Sequence, residues 1–413
     1  MKILHLIASA ICMLSLELKA EELEVIHWWT SGGEVKSVNS LKKMFISSGH
    51  TWKDSKIIGG GGENANKALM QRISSGDSPG VVQLKSASIP HWGSMGALQE
   101  VNRTAVNQKW DNILPTEVSR GLKYKGSYVS VPLNVHRINW IWMNAAVMNK
   151  INAKAPSSFK ELFETLEAIK SKTKVLPIAH GGQSWQDATL FEQVLLAIAG
   201  IDTYRGMFID LDATVAKSAK VLKVFRVIRK LTTFMADDRK GLDWDKATKQ
   251  VIEGRAAMQF MGDWAKGEFL SAGLQPGRDF ICWVTPGLEG FIYTIDAFAF
   301  FKTKENKSKQ AQSQLAQLIM TKEFQREFNK RKGSIPARTD VLLNGFDNCA
   351  KQSAKDFSRT ANKGLLAPSF AHGNAQPSDI QGALIEVISL FMSSSMPPEM
   401  GRDRLISVLE EFE

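Results

Sequence analysis

Tryptophan is the residue type that most strongly suggests a binding site in this chain of 413 residues. There are eleven tryptophans against four tyrosines, and Trp28 and Trp29 are adjacent, just before a turn that contains glycine. Trp185 and Trp264 each lie among polar or small residues. Flat indole faces suit the apolar faces of pyranose rings, and polar side chains beside them can hydrogen-bond hydroxyl groups. One hypothesis is therefore a carbohydrate site with aromatic walls.

The alternative for these tryptophans is ordinary packing at the edges between helices and sheets. Strand side chains alternate, so Trp28 and Trp29 cannot both enter one core if they are extended, whereas a loop pair can line a cleft. We expect packing for most of Trp52, Trp110, Trp140, Trp142, Trp244 and Trp283.

No motif nominates a catalytic or metal site. The spacings H-E-x-x-H and C-x-x-C, signatures of zinc and redox chemistry, do not occur. G-x-S-x-G occurs at 76–80 (GDSPG) but precedes a predicted strand instead of joining a strand to a helix, so it is not the nucleophile elbow of hydrolases. The glycines at 59–62 lack the spacing of phosphate-binding loops, so we interpret them as a turn that needs positive φ. We expect no catalytic residue, metal or cofactor, although 42 carboxylates leave an acid–base pair open.

Composition and charge exclude several protein classes. With 44% apolar and 23% charged residues, the chain is globular and is not disordered, collagen-like or coiled-coil. Its net charge is +10, but lysines and arginines alternate with acidic residues along the chain. Nucleic-acid binders cluster their basic residues instead, so we expect a diffusely basic surface and no nucleic-acid partner.

The N-terminus predicts export. Residues 1–20 combine a basic start, a short apolar stretch and a small residue, as in a signal peptide cut after Ala20. An uncleaved anchor is the alternative, and modification of Cys12 as a lipoprotein is disfavoured. The remaining cysteines, Cys282 and Cys349, leave two interpretations open, a disulfide or two small core residues.

The apolar pattern predicts strands that alternate with helices, hence an α/β fold. Ser158 and Glu161 form a capping box before a clear helix. The predicted strands are 23–27, 57–58, 81–84, 129–135, 256–260, 280–284 and 296–301. The predicted helices are 35–47, 63–74, 152–174, 193–199 and 216–234, with one or two more over 307–330.

Six segments taken together resemble a known family. They are residues 27–34 (HWWTSGGE), 131–137 (VPLNVHR), 254–258 (GRAAM), 261–265 (MGDWA), 332–338 (KGSIPAR) and 372–373 (HG). In this order they resemble the periplasmic sugar-binding proteins of ABC importers, extracellular solute-binding protein family 1, and within it the glucose/mannose-binding branch.

The resemblance implies a two-lobe, maltose-binding-protein-like fold of the periplasmic-binding-protein type II, with several strands crossing at the hinge. The first lobe would take 21–131 plus 287–335, and the second 132–286 plus 336–413. Pro132 and Pro336 fall near the implied crossovers.

The resemblance also implies the sugar-binding residues. Trp28 or Trp29 would stack on one sugar face and Trp264 on the other, with Trp185 as a less specific match. The hydroxyl-binding positions would be Glu34, Gln83, Lys85, His136, Asp296, Lys332 and His372. Glu34 could instead cap a helix, and His136 could be a buried structural histidine.

The implied function is non-enzymatic. A monosaccharide, with D-glucose as the first candidate, would bind in the cleft. The protein would deliver it to an inner-membrane ABC permease with its ATPase. We expect a periplasmic monomer, and a chemoreceptor partner is left open. The alternatives are a disaccharide or another sugar as ligand, or a periplasmic glycoside hydrolase, which needs two carboxyl groups flanking the bond.

Overall fold

The computed structural model describes residues 22–59, 62–303 and 306–413, so the predicted signal segment lies outside it. The strands are β1 (Glu22–His27), β2 (Thr51–Lys56), β3 (Val81–Leu84), β4 (Lys123–Tyr124), β5 (Ser127–Tyr128), β6 (Ser130–Pro132), β7 (His136–Arg137), β8 (Trp140–Asn144), β9 (Leu176–Ile178), β10 (Ala256–Phe260), β11 (Phe280–Val284), β12 (Phe291–Thr294), β13 (Ala297–Phe300) and β14 (Leu366–Pro368).

The helices connect these strands and cover the sheets. They are α1 (Gly32–Ser47), α2 (Glu63–Ser74), α3 (Ile89–Ser94), α4 (Asn102–Asn107), α5 (Trp110–Ile113), α6 (Thr116–Arg120), α7 (Ala145–Lys150), α8 (Phe159–Lys172), α9 (Ser184–Ala199), α10 (Ile201–Phe208), α11 (Ala213–Ala216), α12 (Ala219–Thr232), α13 (Trp244–Ile252), α14 (Trp264–Ser271), α15 (Asn306–Ile319), α16 (Lys322–Lys332), α17 (Asn348–Asn362), α18 (Ser378–Ser393) and α19 (Pro398–Phe412).

The first sheet has the order β2-β1-β3-β13-β6. All of β3 is buried, as expected for a strand covered on both faces. β1 runs parallel to β2 and β3, so their carboxyl ends share one edge. β13 runs antiparallel to β3, with Ala297 opposite Leu84, so the start of β13 lies at the same edge. Trp28, Lys85 and Asp296 adjoin these strand ends and are therefore brought together.

The second sheet has the order β11-β8-β10-β9. β9 and β10 run parallel, while β8 is antiparallel to β10 and β11. The carboxyl ends of β9 and β10 therefore share an edge. From that edge the chain enters α9 and α14, whose first turns carry Trp185 and Trp264.

A third, small sheet of order β14-β12-β7 connects the other two. The chain runs from β6 of the first sheet through β7 to β8 of the second, and returns from β11 through β12 to β13. Thr294 of β12 pairs with His136 of β7. The chain thus crosses between the two larger sheets more than once, and His136 and Asp296 lie on the crossing segments.

Two clusters of buried apolar side chains pack around the larger sheets. One includes Val25 and Phe298, and the other includes Trp142 and Leu195. Helix α17 contributes side chains to both clusters. The division into lobes at 131/132, 286/287 and 335/336 stays a prediction.

Cys282 of β11 and Cys349 of α17 form a disulfide across 67 positions of sequence. The sequence left their pairing open, and the structure answers it. The bond fastens α17, which touches both apolar clusters, to the edge strand of the second sheet.

Several predicted element bounds were wrong. The second strand occupies Thr51–Lys56 rather than 57–58, because it pairs with β1 over its full length. The apolar segment 129–135 contains only a three-residue strand. The helix predicted from 193 begins at Ser184. The prediction of one or two helices over 307–330 is confirmed, since parts of two helices lie there.

The capping box predicted for α8 is half confirmed. The Ser158 hydroxyl accepts from the Glu161 backbone N–H at 3.3 Å. The Glu161 carboxylate, however, accepts from the backbone N–H and hydroxyl of Ser157, one residue earlier. The Glu161 side chain is long enough to reach past the cap residue, Ser158, to the donors of Ser157.

Candidate binding site

A cavity lies where the edges of the three sheets meet. The centre of a water molecule can reach about 50 Å³ of it. Its lining residues are Trp28, Trp29, Thr30, Glu34, Lys85, His136, Trp185, Trp244, Trp264, Asp296, Lys332 and His372. Every residue predicted for the site lines this cavity except Gln83. That these residues bind a ligand stays a prediction.

Aromatic rings from both larger sheets form the walls. Trp28 and Trp29 follow β1, and Trp264 begins α14; all three are at most 8% exposed. The Trp264 ring centroid lies 6.4 Å from that of Trp185 and 4.8 Å from that of His372. Rings that follow β1 and rings that begin α9 and α14 therefore contribute to one small space.

Two wall tryptophans lie directly against glycines. A Cβ atom on Gly262 would come within 2.2 Å of the Trp264 ring, and one on Gly62 within 3.0 Å of the Trp28 ring. Gly59 and Gly62 both have positive φ, which confirms the predicted turn at these positions; the two glycines between them lie outside the described residues. Only glycine leaves room for these indole positions.

The Asp296 carboxylate is the centre of the polar floor. Its Oδ1 accepts from Lys85 Nζ at 2.7 Å and from Gln83 Nε2 at 3.2 Å. Its Oδ2 accepts from Asn134 Nδ2 at 3.0 Å and lies 3.0 Å from His136 Nε2. Asp296 is 3% exposed, and a buried carboxylate is tolerated because such partners compensate for its lost hydration.

The hydrogen-bonded network of this floor continues across the crossing segments. The other ring nitrogen of His136 contacts the carboxylate of Asp263, which lies between β10 and α14. Asp263 also accepts from the Arg137 backbone N–H at 3.0 Å. A hydrogen-bonded chain thus runs from Lys85 through Asp296 and His136 to the loop that carries Trp264.

The pKa values of Asp296 and His372 follow from these surroundings. Burial by itself raises the pKa of Asp296, but Lys85, His136 and Lys332 outweigh it and hold that pKa well below its usual range. Burial lowers the pKa of His372 well below its ordinary value, and the nearby Lys85 adds to the effect. The cavity therefore contains an ionised acceptor and a neutral imidazole.

Glu34 serves two structural purposes in the cavity wall. Its Oε2 accepts from the backbone N–H groups of Thr30 and Ser31 at 3.2 and 3.3 Å, before α1 begins. Its Oε1 accepts from Lys332 Nζ at 3.0 Å. The capping interpretation of Glu34 is therefore confirmed. Glu34 also lines the cavity, and that it binds a sugar hydroxyl stays a prediction.

Gln83 lies behind the floor rather than in the cavity. It is fully buried, donates to Asp296, and accepts from the Trp28 backbone N–H at 3.3 Å. Sequence reasoning missed four residues near the cavity. Thr30 and Trp244 line it, and Asn134 and Asp263 support its floor. Trp244 was assigned to packing; it does pack in a core, but it also lines the cavity.

The described ranges hold no cluster of metal ligands and no membrane-spanning helix. Within them, no group of three His, Cys, Asp or Glu side chains could hold a metal ion. No helix of residues 22–59, 62–303 or 306–413 has the length and apolarity to cross a bilayer. The cavity itself can bind a small molecule that combines flat apolar faces with hydroxyl groups, since it offers indoles together with charged and neutral hydrogen-bonding groups.

Comparison with known proteins gives the family. The family described as "Bacterial extracellular solute-binding protein" matches residues 56–357. A protein of Rhizobium meliloti (strain 1021) named "Probable sugar-binding periplasmic protein" is 41% identical over 392 residues, which cover 95% of this chain and 94% of that protein.

Solved structures agree on the fold. The bacterial solute receptor AcbH, described as having an exclusive preference for β-D-galactopyranose, superposes with a TM-score of 0.79 at 16% identity, over 95% of this chain and 98% of that one. Maltose-bound MalE3 of T. maritima gives 0.77 at 13% identity, over 95% and 100%. The fold is the two-lobe, maltose-binding-protein-like α/β fold with multiple crossovers, and the chain belongs to the bacterial extracellular solute-binding protein family.

Proposed function

We propose that this protein is the periplasmic sugar-binding component of an ABC importer. We propose further that it binds a monosaccharide in the cavity, with D-glucose as the first candidate. The observation that carries the proposal is the combination of tryptophan walls with a buried, ion-paired floor in one small space. The family membership and the name of the Rhizobium meliloti relative support it. Glucose as the ligand rests on the resemblance of the site segments to the glucose/mannose-binding branch.

The size of the cavity is compatible with a sugar ligand. The empty space among its lining residues is about 510 Å³, part of it open to solvent, which lies within the range of small-ligand pockets and has room for a pyranose ring. AcbH is described with a monosaccharide and MalE3 with a disaccharide, so the fold alone does not decide between the two ligand sizes.

Donors for sugar hydroxyls come from the two lysines. Lys85 has three N–H donors, of which Asp296 and Thr294 take two. Lys332 gives one to Glu34. Both ammonium groups also lie 5.5–5.6 Å from tryptophan ring centroids, a distance at which the ring quadrupole attracts a cation. The remaining donors are thus positioned beside the proposed stacking surfaces.

Asp296 orients these donors. A ligand hydroxyl that donates to the Asp296 carboxylate would share its oxygens with the protein donors. Its two oxygens already have four protein partners, which fills the acceptor sites of a carboxylate. Gln83, at 3.2 Å, makes the longest of these four contacts.

Hydrolysis has less support than binding. A glycosidase needs one carboxylic acid with a raised pKa beside a second carboxylate. The pKa of Asp296 is lowered instead, and the other carboxylate that lines the cavity, Glu34, is already occupied by Lys332 and two backbone N–H groups.

Ligand binding would close the cleft by rotation about the crossing segments, and the closed form would dock on the membrane permease with its ATPase. Closure follows only if the sugar binds the closed form better than the open one. Periplasmic location, a monomeric state and any chemoreceptor contact are parts of the same proposal.

The test is calorimetric titration of refolded, ligand-depleted mature protein with glucose, galactose, mannose, xylose and maltose. We expect saturable binding of glucose that is tighter than that of the other four sugars. Binding of maltose alone would overturn the monosaccharide assignment, and binding of none by folded protein would overturn the sugar proposal. Release of nitrophenol from aryl glucosides would favour the hydrolase.

A further inference from the structure

A second contact joins the two sides of the cleft outside the cavity. Helix α1 follows β1 of the first sheet, and α14 follows β10 of the second. The carboxylate of Glu268 in α14 accepts from the Ser31 hydroxyl at 2.7 Å and from the Gly33 backbone N–H at 2.9 Å. None of Ser31, Gly33 and Glu268 lines the cavity.

The start of α1 offers hydrogen-bond donors to this carboxylate, although burial and the nearby charge of Glu34 raise the pKa of Glu268 above its ordinary value. The first N–H groups of a helix have no partner within the helix, and the helix dipole makes that end positive. Glu34 takes the N–H groups just before α1, whereas the Gly33 N–H is taken by Glu268 from the other side of the cleft. Lys36 of α1 adds a bond from Nζ to the Ser271 carbonyl at 2.9 Å.

The two helices approach so closely that glycine is required at the contact. A Cβ on Gly33 would lie 2.7 Å from the backbone of Gly267 and 2.9 Å from Glu268 Oε1. A Cβ on Gly267 would in turn lie 3.1 Å from the carbonyl oxygens of Arg331 and Lys332. Helix α14 is therefore fitted against both α1 and the end of α16.

This contact joins helices that follow different sheets. Those sheets are connected through β7 and β12, so the proposed closing rotation about these segments would change the distance between α1 and α14. A contact made only in the closed form raises the closed fraction, and the apparent affinity of a ligand rises with the fraction of its binding-competent form.

We propose that Glu268 is a positioning residue that latches the closed cleft by capping α1 from the opposite side, and that it strengthens sugar binding without touching the sugar. The proposal rests on the proposed function, because it assumes that the ligand is bound by cleft closure. It assigns part of the affinity to residues that no ligand contacts.

The first test compares Glu268→Ala with wild type in calorimetry and stopped-flow tryptophan fluorescence, with glucose as the ligand. Since the hydrogen bonds from the Ser31 hydroxyl and the Gly33 N–H are lost, we expect affinity to fall by about tenfold, through faster dissociation. Glu268→Gln retains an acceptor oxygen and should fall between the two. Glu164→Ala is the matched control, because Glu164 is exposed on α8 and forms an ion pair with Lys160, away from the cavity.

A second variant and a scattering measurement separate a latch from a folding defect. Gly33→Ala inserts a methyl group between the helices and should weaken binding while the unfolding midpoint of the ligand-free protein changes little. By small-angle scattering with saturating glucose, both variants should close. Ser31→Ala combined with Glu268→Ala should cost less than the sum of the single changes, because both remove the same bond.

The outcomes are distinct from those of the main proposal. If wild type binds glucose and Glu268→Ala and Gly33→Ala bind it equally well, the latch is overturned and the sugar proposal stands. If wild type binds no sugar, the proposed function fails first. A fall in affinity with an equal fall in the Glu164→Ala control would also overturn the latch.

Discussion

Asp296 and Glu192 are two buried carboxylates whose surroundings move their pKa values in opposite directions. Asp296, in the cavity floor, is held ionised because Lys85 and His136 outweigh the effect of burial. Glu192, in α9, has no exposed surface, and burial raises its pKa from 4.5 to about 7 despite several hydrogen bonds. The difference is the presence of cations beside one and neutral donors beside the other.

The neutral partners of Glu192 belong to the segment that leads to His372. Glu192 accepts from the Ser369 hydroxyl at 2.7 Å, the Tyr204 hydroxyl at 2.8 Å and the Phe370 N–H at 3.1 Å. It organises the chain beyond β14 without facing the cavity. At the proposed binding surface, Lys85 and His136 line the cavity and keep the Asp296 carboxylate ionised. Outside the cavity, Glu192 has only neutral hydrogen-bond donors and its pKa is raised.

The largest expected difference comes from the same chemical change at both sites. Asp296→Asn removes the charge that holds Lys85 and His136, and should weaken glucose binding by about 3 kcal/mol, roughly a hundredfold. Glu192→Gln should change the affinity by less than about threefold, because it removes a hydrogen-bonded group outside the cavity. Calorimetry on both variants checks the contrast, and equal losses would refute it.

Between about pH 4.5 and pH 7, the stability of the folded protein should depend on Glu192 and not on Asp296, whereas glucose affinity should depend on Asp296. The Glu192 carboxyl binds its proton more tightly in the folded protein than in the unfolded chain, so stability falls as pH rises from about 4.5 through about 7. The shift corresponds to about 3 kcal/mol. We expect the free energy of unfolding of wild type minus that of Glu192→Gln to decrease over this range by an amount of that order.

Urea unfolding at several pH values measures this difference, because other titrating groups cancel between the two proteins. A flat difference would mean that the Glu192 carboxyl has the same pKa in the folded and unfolded states, and would refute the raised pKa. For Asp296, the lowered pKa places its loss of stability on the acid side, below the ordinary carboxyl range.

A change in an aromatic wall residue measures how much of the glucose affinity comes from stacking and not from the charged floor. Trp264→Leu should weaken glucose binding by about 2 kcal/mol, since it removes a stacking face. Trp283→Leu is the matched control, because Trp283 lies on β11 away from the cavity. Equal affinity in wild type and Trp264→Leu, measured by calorimetry, would assign the binding to the polar groups alone.

Local patterns in the sequence predicted the parts of this site that lie on one segment. The strand–loop–helix order around β1 and α1 indicated an α/β fold, and the resemblance of residues 27–34 and 261–265 indicated the wall tryptophans. The Ser158 cap was also visible, because cap and acceptor are three residues apart. Such signals depend on neighbours in the chain, which a single sequence contains.

The contacts between distant segments were not predictable in the same way. Asn134 reaches Asp296 across 162 positions, and Glu268 reaches Ser31 across 237. Nothing near Asn134 or Glu268 in sequence marks these partners, since they meet only after the sheets have formed. Trp244 was missed for the same reason, because the start of α13 reaches the cavity only through the tertiary fold.

The smallest predicted effect concerns Gln83, which links floor and wall from behind. It joins the Asp296 carboxylate to the Trp28 backbone N–H, so Gln83→Leu should weaken glucose binding by about 1 kcal/mol, roughly fivefold. Gln312→Leu is a matched control, because Gln312 is also fully buried and bonds backbone carbonyls at Gly80 and Phe301.

Both glutamine variants should lose similar stability, and only Gln83→Leu should lose affinity in calorimetry. Tighter binding in Gln83→Leu would show instead that Gln83 competes with a sugar hydroxyl for Asp296 Oδ1. In that case the floor would be organised by Lys85, Asn134 and His136 without it, and Asp296 would accept from the ligand at the position that Gln83 now occupies.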